Sequence, residues 1–88
     1  MDIPILIRKK GNTKYGVTVP DIPGCVSTGE TIDHAMRNVT DAIYGHLGSL
    51  LQQGKPFEIK PSPVEELSQE PDYAGGIWAL VSLDLAKL

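Results

Sequence analysis

One stretch limits what this chain can fold into. From Ile32 to Leu51, the residues Ile32, Ala35, Met36, Val39, Ala42, Ile43, His46, Leu47, Leu50 and Leu51 keep an i, i+3, i+4, i+7 rhythm. That spacing sets them along one face of an α-helix of roughly five to six turns. An apolar stripe of this kind has to be buried against a second layer. The whole chain has 88 residues, room for one domain and one core, with only about two-thirds of the unfolded surface available for burial. What flanks the helix is strand-like, so its expected partner is a sheet.

The helix ends are marked. Thr31 is the expected N-cap, and Asp33 places an anion in the first turn, where the helix dipole favours it. Gly54 is the expected residue just past the C-cap, with Lys55 and Pro56 beyond it. Gly45 and Gly48 fall on the polar face, each costing about 1 kcal/mol relative to alanine. Two readings stand for them, sequence drift or close approach by a partner's backbone.

Before the helix, Ile3–Arg8 is β-branched and apolar, with Pro4 tolerable near a strand start or on an edge. Lys10-Gly11-Asn12-Thr13 is turn chemistry, and Tyr15–Val19 alternates so that Tyr15, Val17 and Val19 share a face. The two runs predict an antiparallel hairpin. Pro20-Asp21-Ile22-Pro23-Gly24 interrupts the ladder, Cys25–Thr28 adds a brief third strand, and Gly29 turns the chain. After the helix, residues 55–76 hold Pro56, Pro61, Pro63 and Pro71 among acidic residues and predict an irregular surface excursion, with one helical turn at Val64–Leu67. Ile77–Leu85 is the last strand. Its nearly continuous apolar run predicts a strand covered on both faces or lying centrally. The expected fold is α+β: a β-β-β-α-β order with an antiparallel sheet packed on one long helix.

Charge and cysteine usage narrow the function. The net charge is −3, split unevenly: residues 1–29 carry four basic groups against two acidic, residues 30–88 four basic against nine acidic. A chain whose main task was gripping phosphates should lean the other way; an acidic surface suits a basic protein partner. Cys25 is the one cysteine, which excludes an internal disulfide and fits a reducing cytoplasm. No run approaches the ~18 apolar residues of a membrane span, and the Arg8-Lys9-Lys10 cluster follows the first apolar stretch instead of preceding it, unlike a secretory signal.

Reactive chemistry is sparse. Cys25 follows Pro-Gly at a strand start and reads as a small, partly buried hydrophobe. His46 lies within the apolar arc as a core-edge histidine with one nitrogen satisfied, and His34 lies on the exposed face of the first turn. These three match no zinc spacing or nucleophile–base arrangement, so neither a metal site nor a cofactor is expected. Asp21, Glu30 and Asp84 are the carboxylates nearest strand ends and would be the candidates for a Mg²⁺ cluster; Asp21, between prolines, is expected to bond its own backbone. Gly75-Gly76 precedes a strand rather than a helix, so no phosphate loop is present.

The segment Tyr15–Ala35 resembles the HicB antitoxin family, whose pattern Y-x-V-x-V-P-D-L-P-G-C is followed by G-[DE]-T and a long helix. Val19-Pro20-Asp21-Ile22-Pro23-Gly24-Cys25 and Gly29-Glu30-Thr31 match, and Ala35 begins the helical alanine positions. His34 stands where the family usually has Glu, which removes the reach-back half of a capping box. Leu50–Pro63 and the terminal strand ending Asp84-Leu85 are also similar, so the resemblance covers nearly the whole chain. It implies a partial RNase-H-like domain that is no enzyme and that neutralises a HicA-like toxin, a small basic mRNA interferase, by occluding its RNA-binding and catalytic surface.

Family members commonly add a C-terminal DNA-binding module that represses the operon. The chain stops at Leu88, where that module would begin, and residues 1–88 are expected to be one HicB-like domain from which it is absent or truncated; operator DNA is a partner only if the full-length protein has it. A homodimer or higher homo-oligomer is expected. The expected toxin-facing residues are Glu65, Glu66, Glu70, Asp72 and Trp78, against the alternatives of a solvated acidic loop and a core tryptophan. The competing functions are a nuclease-like remnant with a carboxylate site and a solitary nucleic-acid-binding regulator.

Overall fold

A computed structural model describes residues 1–55 and 57–88. Four strands, β1 (Asp2–Lys10), β2 (Lys14–Thr18), β3 (Val26–Gly29) and β4 (Ile77–Ser82), form one antiparallel sheet in the order β3-β2-β1-β4. The long helix α1 (Ile32–Gln52) covers one face, and a single-turn helix α2 (Val64–Leu67) follows it. The expected class, element order and turn at 64–67 are all found. No described helix is long and apolar enough to cross a membrane.

Strand alternation decides which residues meet the helix. Ile3, Ile5 and Ile7 of β1, Val17 of β2 and Val81 of β4 point inward and pack with Ala35, Val39, Ile43 and Leu47 of α1. Those four helical residues form a single i, i+4 row with almost no exposure. Ile32 and Leu51, at the ends of the predicted stripe, stay exposed, so the buried seam is narrower than the periodicity implied. Each isoleucine buried in this way contributes about 1.5–3 kcal/mol. Val19, Ile22 and Cys25 extend the core under the Pro-Asp-Ile-Pro-Gly turn, which is closed by Ile22 N–H to Val19 O (3.1 Å) and Cys25 N–H to Ile22 O (3.1 Å).

The helix ends behave as their residues dictate. Thr31 Oγ1 accepts the His34 amide at 3.0 Å. At the other end Gly54 adopts φ +70°, its amide reaching Leu51 O (3.0 Å) while Lys55 N–H reaches Leu50 O (3.0 Å). This is a Schellman closure, and it requires the left-handed geometry that glycine adopts without strain. Pro56, expected just beyond, lies outside the described residues. Gly45 and Gly48 have nothing within 4 Å of where a Cβ would sit. Changing both to alanine is therefore expected to raise stability by about 0.5–1 kcal/mol per site, seen as a higher urea midpoint; a fall would contradict this account.

Three expectations need correction. β4 is an edge strand, hydrogen-bonded to β1 alone, and its outward Leu80 is 55% exposed; an unbroken apolar run does not by itself reveal how many neighbours a strand has. β4 also stops at Ser82, not Leu85: Asp84 caps a short 3₁₀ turn over Leu85–Lys87 by accepting the Ala86 amide. The third strand starts at Val26 and includes Gly29, which pairs with Tyr15 instead of turning the chain. Asn38 ties α1 to that strand by donating to Thr28 O at 2.8 Å.

Candidate partner-binding surface

The face of the sheet turned away from α1 carries Pro4, Leu6 and Arg8 on β1 and, directly opposite Leu6 and Pro4, Trp78 and Leu80 on β4. Leu6 has no exposed surface, although α1 lies on the other side of the sheet. The excursion after the helix supplies the missing cover: the Arg8 guanidinium donates to the Asp72 carbonyl, its Cζ lies 5.8 Å from the Tyr73 ring centroid, and Tyr73 meets Trp78 edge-on at 5.8 Å. Trp78 is therefore half-buried on the outer face and takes no part in the helix-side core.

The near end of the same excursion is fixed by Asp21. Its carboxylate accepts the Ser62 amide (2.8 Å) and the Ser62 hydroxyl (2.6 Å), and Phe57 and Ile59 pack against the core beside it. The expectation that Asp21 bonds its own turn is thus overturned: its acceptors are used by a residue 41 positions away. Hydrogen bonds to a carboxylate contribute more than neutral ones. Asp21→Ala is expected to cost about 2 kcal/mol and to speed amide exchange selectively over residues 57–62. Unchanged protection there would contradict the role.

Between these two anchors runs an acidic ridge. Pro63 precedes α2, whose first turn holds Glu65 and Glu66, favoured there by the helix dipole; Glu70 caps the 3₁₀ turn at Pro71–Tyr73 and Asp72 lies within it. All four side chains are exposed. Among the described residues the one ion pair, Lys60–Glu58 at 3.4 Å, involves none of them. The four carboxylates thus lie on a segment held at both ends, by Asp21 at Ser62 and by Arg8 at Asp72. Arg8 is the feature that reading the sequence missed; its place in a basic run concealed that its guanidinium turns onto the excursion.

The other polar candidates do not converge. Asp21 serves Ser62 and Asp84 serves Ala86, while Glu30 lies at the β3–α1 junction; no group of three potential metal ligands occurs among the described residues. Cys25 is buried, and desolvation pushes its thiol above the ordinary value, the opposite of what a nucleophile needs. His34 is exposed, as expected. His46 is half-buried at the edge of the core, as expected.

Against known proteins, residues 3–88 match the model of a family described as the HicB-like antitoxin of bacterial toxin–antitoxin systems. The chain belongs to the HicB-like antitoxin family. Among solved structures it is similar to the N-terminal domain of the Burkholderia pseudomallei antitoxin HicB, at 53% identity and TM-score 0.88, covering 97% of this chain and all of that one. It is also similar to a chain of a HicA3 and HicB3 toxin–antitoxin complex, at 29% identity and TM-score 0.80, over 96% of this chain and 99% of that one. A 14.9 kDa protein of Haemophilus phage HP1 is 39% identical over 97% of this chain, which spans only 62% of the phage protein. The sheet-and-helix architecture described above is thus that of HicB N-terminal domains.

Proposed function

We propose that this HicB-like domain, residues 1–88, neutralises a HicA-like toxin by laying its acidic ridge over the toxin's basic RNA-binding and catalytic surface. The observation that carries the reading is the likeness of nearly the whole chain to a chain from a HicA3 and HicB3 toxin–antitoxin complex. The ridge adds chemical support: Glu65, Glu66, Glu70 and Asp72 are exposed and unpaired among the described residues, and Trp78, half-buried on the outer face of β4, offers a large amphipathic anchor. Opposite charge across an interface speeds encounter and fixes orientation.

In this reading the domain is a binding protein and not an enzyme, works in the cytoplasm where a toxin meets messenger RNA, and acts as a homo-oligomer. Operator binding and transcriptional autoregulation belong to a C-terminal module, if the full-length protein carries one. The test is a cell-free translation reaction stopped by the toxin encoded next to this gene. Added domain should restore translation at about one equivalent per toxin, without cutting RNA by itself. Failure to restore translation, or magnesium-dependent cleavage by the domain alone that is lost in Asp21→Asn, would overturn the reading.

A further inference from the structure

We propose that a trough over Gly16, on the outer face of β1, β2 and β3, binds a small ligand through a phosphate group. The site does not depend on the toxin reading. Strand register builds it. Arg8, Gly16 and Thr28 stand directly opposite one another across the three strands, and Leu6, Thr18 and Val26 form the next outward row. Glycine at the centre of the first row leaves a gap between a long cation and a hydroxyl. The result is a cavity of about 550 Å³ whose lining includes Arg8, Lys10, Gly16, Thr18, Val26 and Thr28, within the size range of small-molecule sites.

Charge selects the ligand. Arg8, Lys10 and Lys14 all alternate onto this face, and Lys10 stands directly opposite Lys14. Like charges paired across strands are destabilising, yet among the described residues no carboxylate lies within ion-pair distance of any of the three. No acidic residue lines the cavity. Arg8 is only partly used: it donates to the Asp72 carbonyl, while its buried Nε–H has no partner among the described residues. A phosphate monoester brings about two negative charges and three strong acceptor oxygens. That is enough to take a guanidinium, an ammonium and the Thr18 and Thr28 hydroxyls together, where a carboxylate has about half the charge. Val26, 64% exposed and opposite Thr18, gives an apolar wall for the organic part of a phosphate ester. A site for one phosphate needs only a local cluster of cations, which a net charge of −3 does not forbid.

Titrating the isotopically labelled chain with sodium phosphate, against sodium chloride at matched ionic strength, tests this by nuclear magnetic resonance. The Gly16, Thr18 and Thr28 amide signals should move and saturate with phosphate, at a dissociation constant on the order of millimolar, and not with chloride. A parallel arm with adenosine 5′-monophosphate separates the two sources of the group: tighter binding with added shifts at Val26 marks a nucleotide, and equal binding marks free phosphate. Lys10→Gln should weaken binding by about fivefold, as loss of an exposed ion pair does. Gly16→Val should abolish it by filling the trough. The new Cβ meets only the flexible end of Lys10, at 2.7 Å from Cε, so circular dichroism should stay unchanged. Shifts that never saturate, equal shifts with chloride, or full affinity in Lys10→Gln would each overturn the proposal, whether or not Gly16→Val folds.

Discussion

Gly29→Ala is expected to remove most of the domain's stability. The added Cβ would stand 2.6 Å from Ala35 Cα and 2.8 Å from the His34 carbonyl carbon. Both are backbone atoms of the first helical turn, so no side-chain rotation relieves the clash; α1 would have to lift from β3. That movement pulls the Ala35, Val39, Ile43, Leu47 row out of its packing with the isoleucines of β1. Overpacking a core ordinarily costs about 1–3 kcal/mol, and a clash with backbone belongs at or beyond the top of that range. A domain of this size has roughly 5–13 kcal/mol in all. Urea titration should give a midpoint far below the parent, or no cooperative transition, whereas Gly45→Ala should move it slightly the other way. An unshifted midpoint for Gly29→Ala would mean that the helix is not seated where it is described.

The second large effect concerns association. Changing Glu65, Glu66, Glu70 and Asp72 together to lysine reverses the ridge from four negative charges to four positive. All four are exposed, and none of their carboxylates holds another element in place, so thermal stability should hold within about 0.5 kcal/mol per site. Binding to a basic toxin should suffer greatly. Loss of steering slows association by about 10- to 1,000-fold at low salt, and the gap between variant and parent should narrow as added salt shortens the screening length to a few ångströms. Stopped-flow association at low and high ionic strength measures both. Equal rates for the two proteins would show that the toxin docks elsewhere.

What could be read beforehand was local. The helix, its Thr31 cap, its Gly54 closure, the first hairpin and the turn at Val64–Leu67 each rest on residues a few positions apart, and all are found. What could not be read was set by partners distant in sequence. Nothing about Asp21 points to Ser62, nor does Arg8 point to Asp72 and Tyr73; a carboxylate in a Pro-rich turn satisfies its acceptors locally unless a donor arrives from elsewhere. β4 was misplaced for a related reason. Apolar residues on both its faces are compatible with a central strand, and also with an edge strand whose outer face is half-covered by Tyr73. The acidic ridge was visible as a cluster of residue types, but its anchoring at both ends was not.

The central position of β1 bears on how the protein is made. Its pairing with β2 closes a hairpin of adjacent residues, but Ile5 also lies against Ala79, almost a chain length away. Closing so large a loop is slow compared with local pairing. During synthesis, β1, β2, β3 and α1 can assemble as soon as Gln52 leaves the ribosome, leaving the β4 side of β1 bare until Ser82 follows. For that interval the nascent chain presents an unpaired apolar strand, the point at which premature capture by another chain, or by a chaperone, would act.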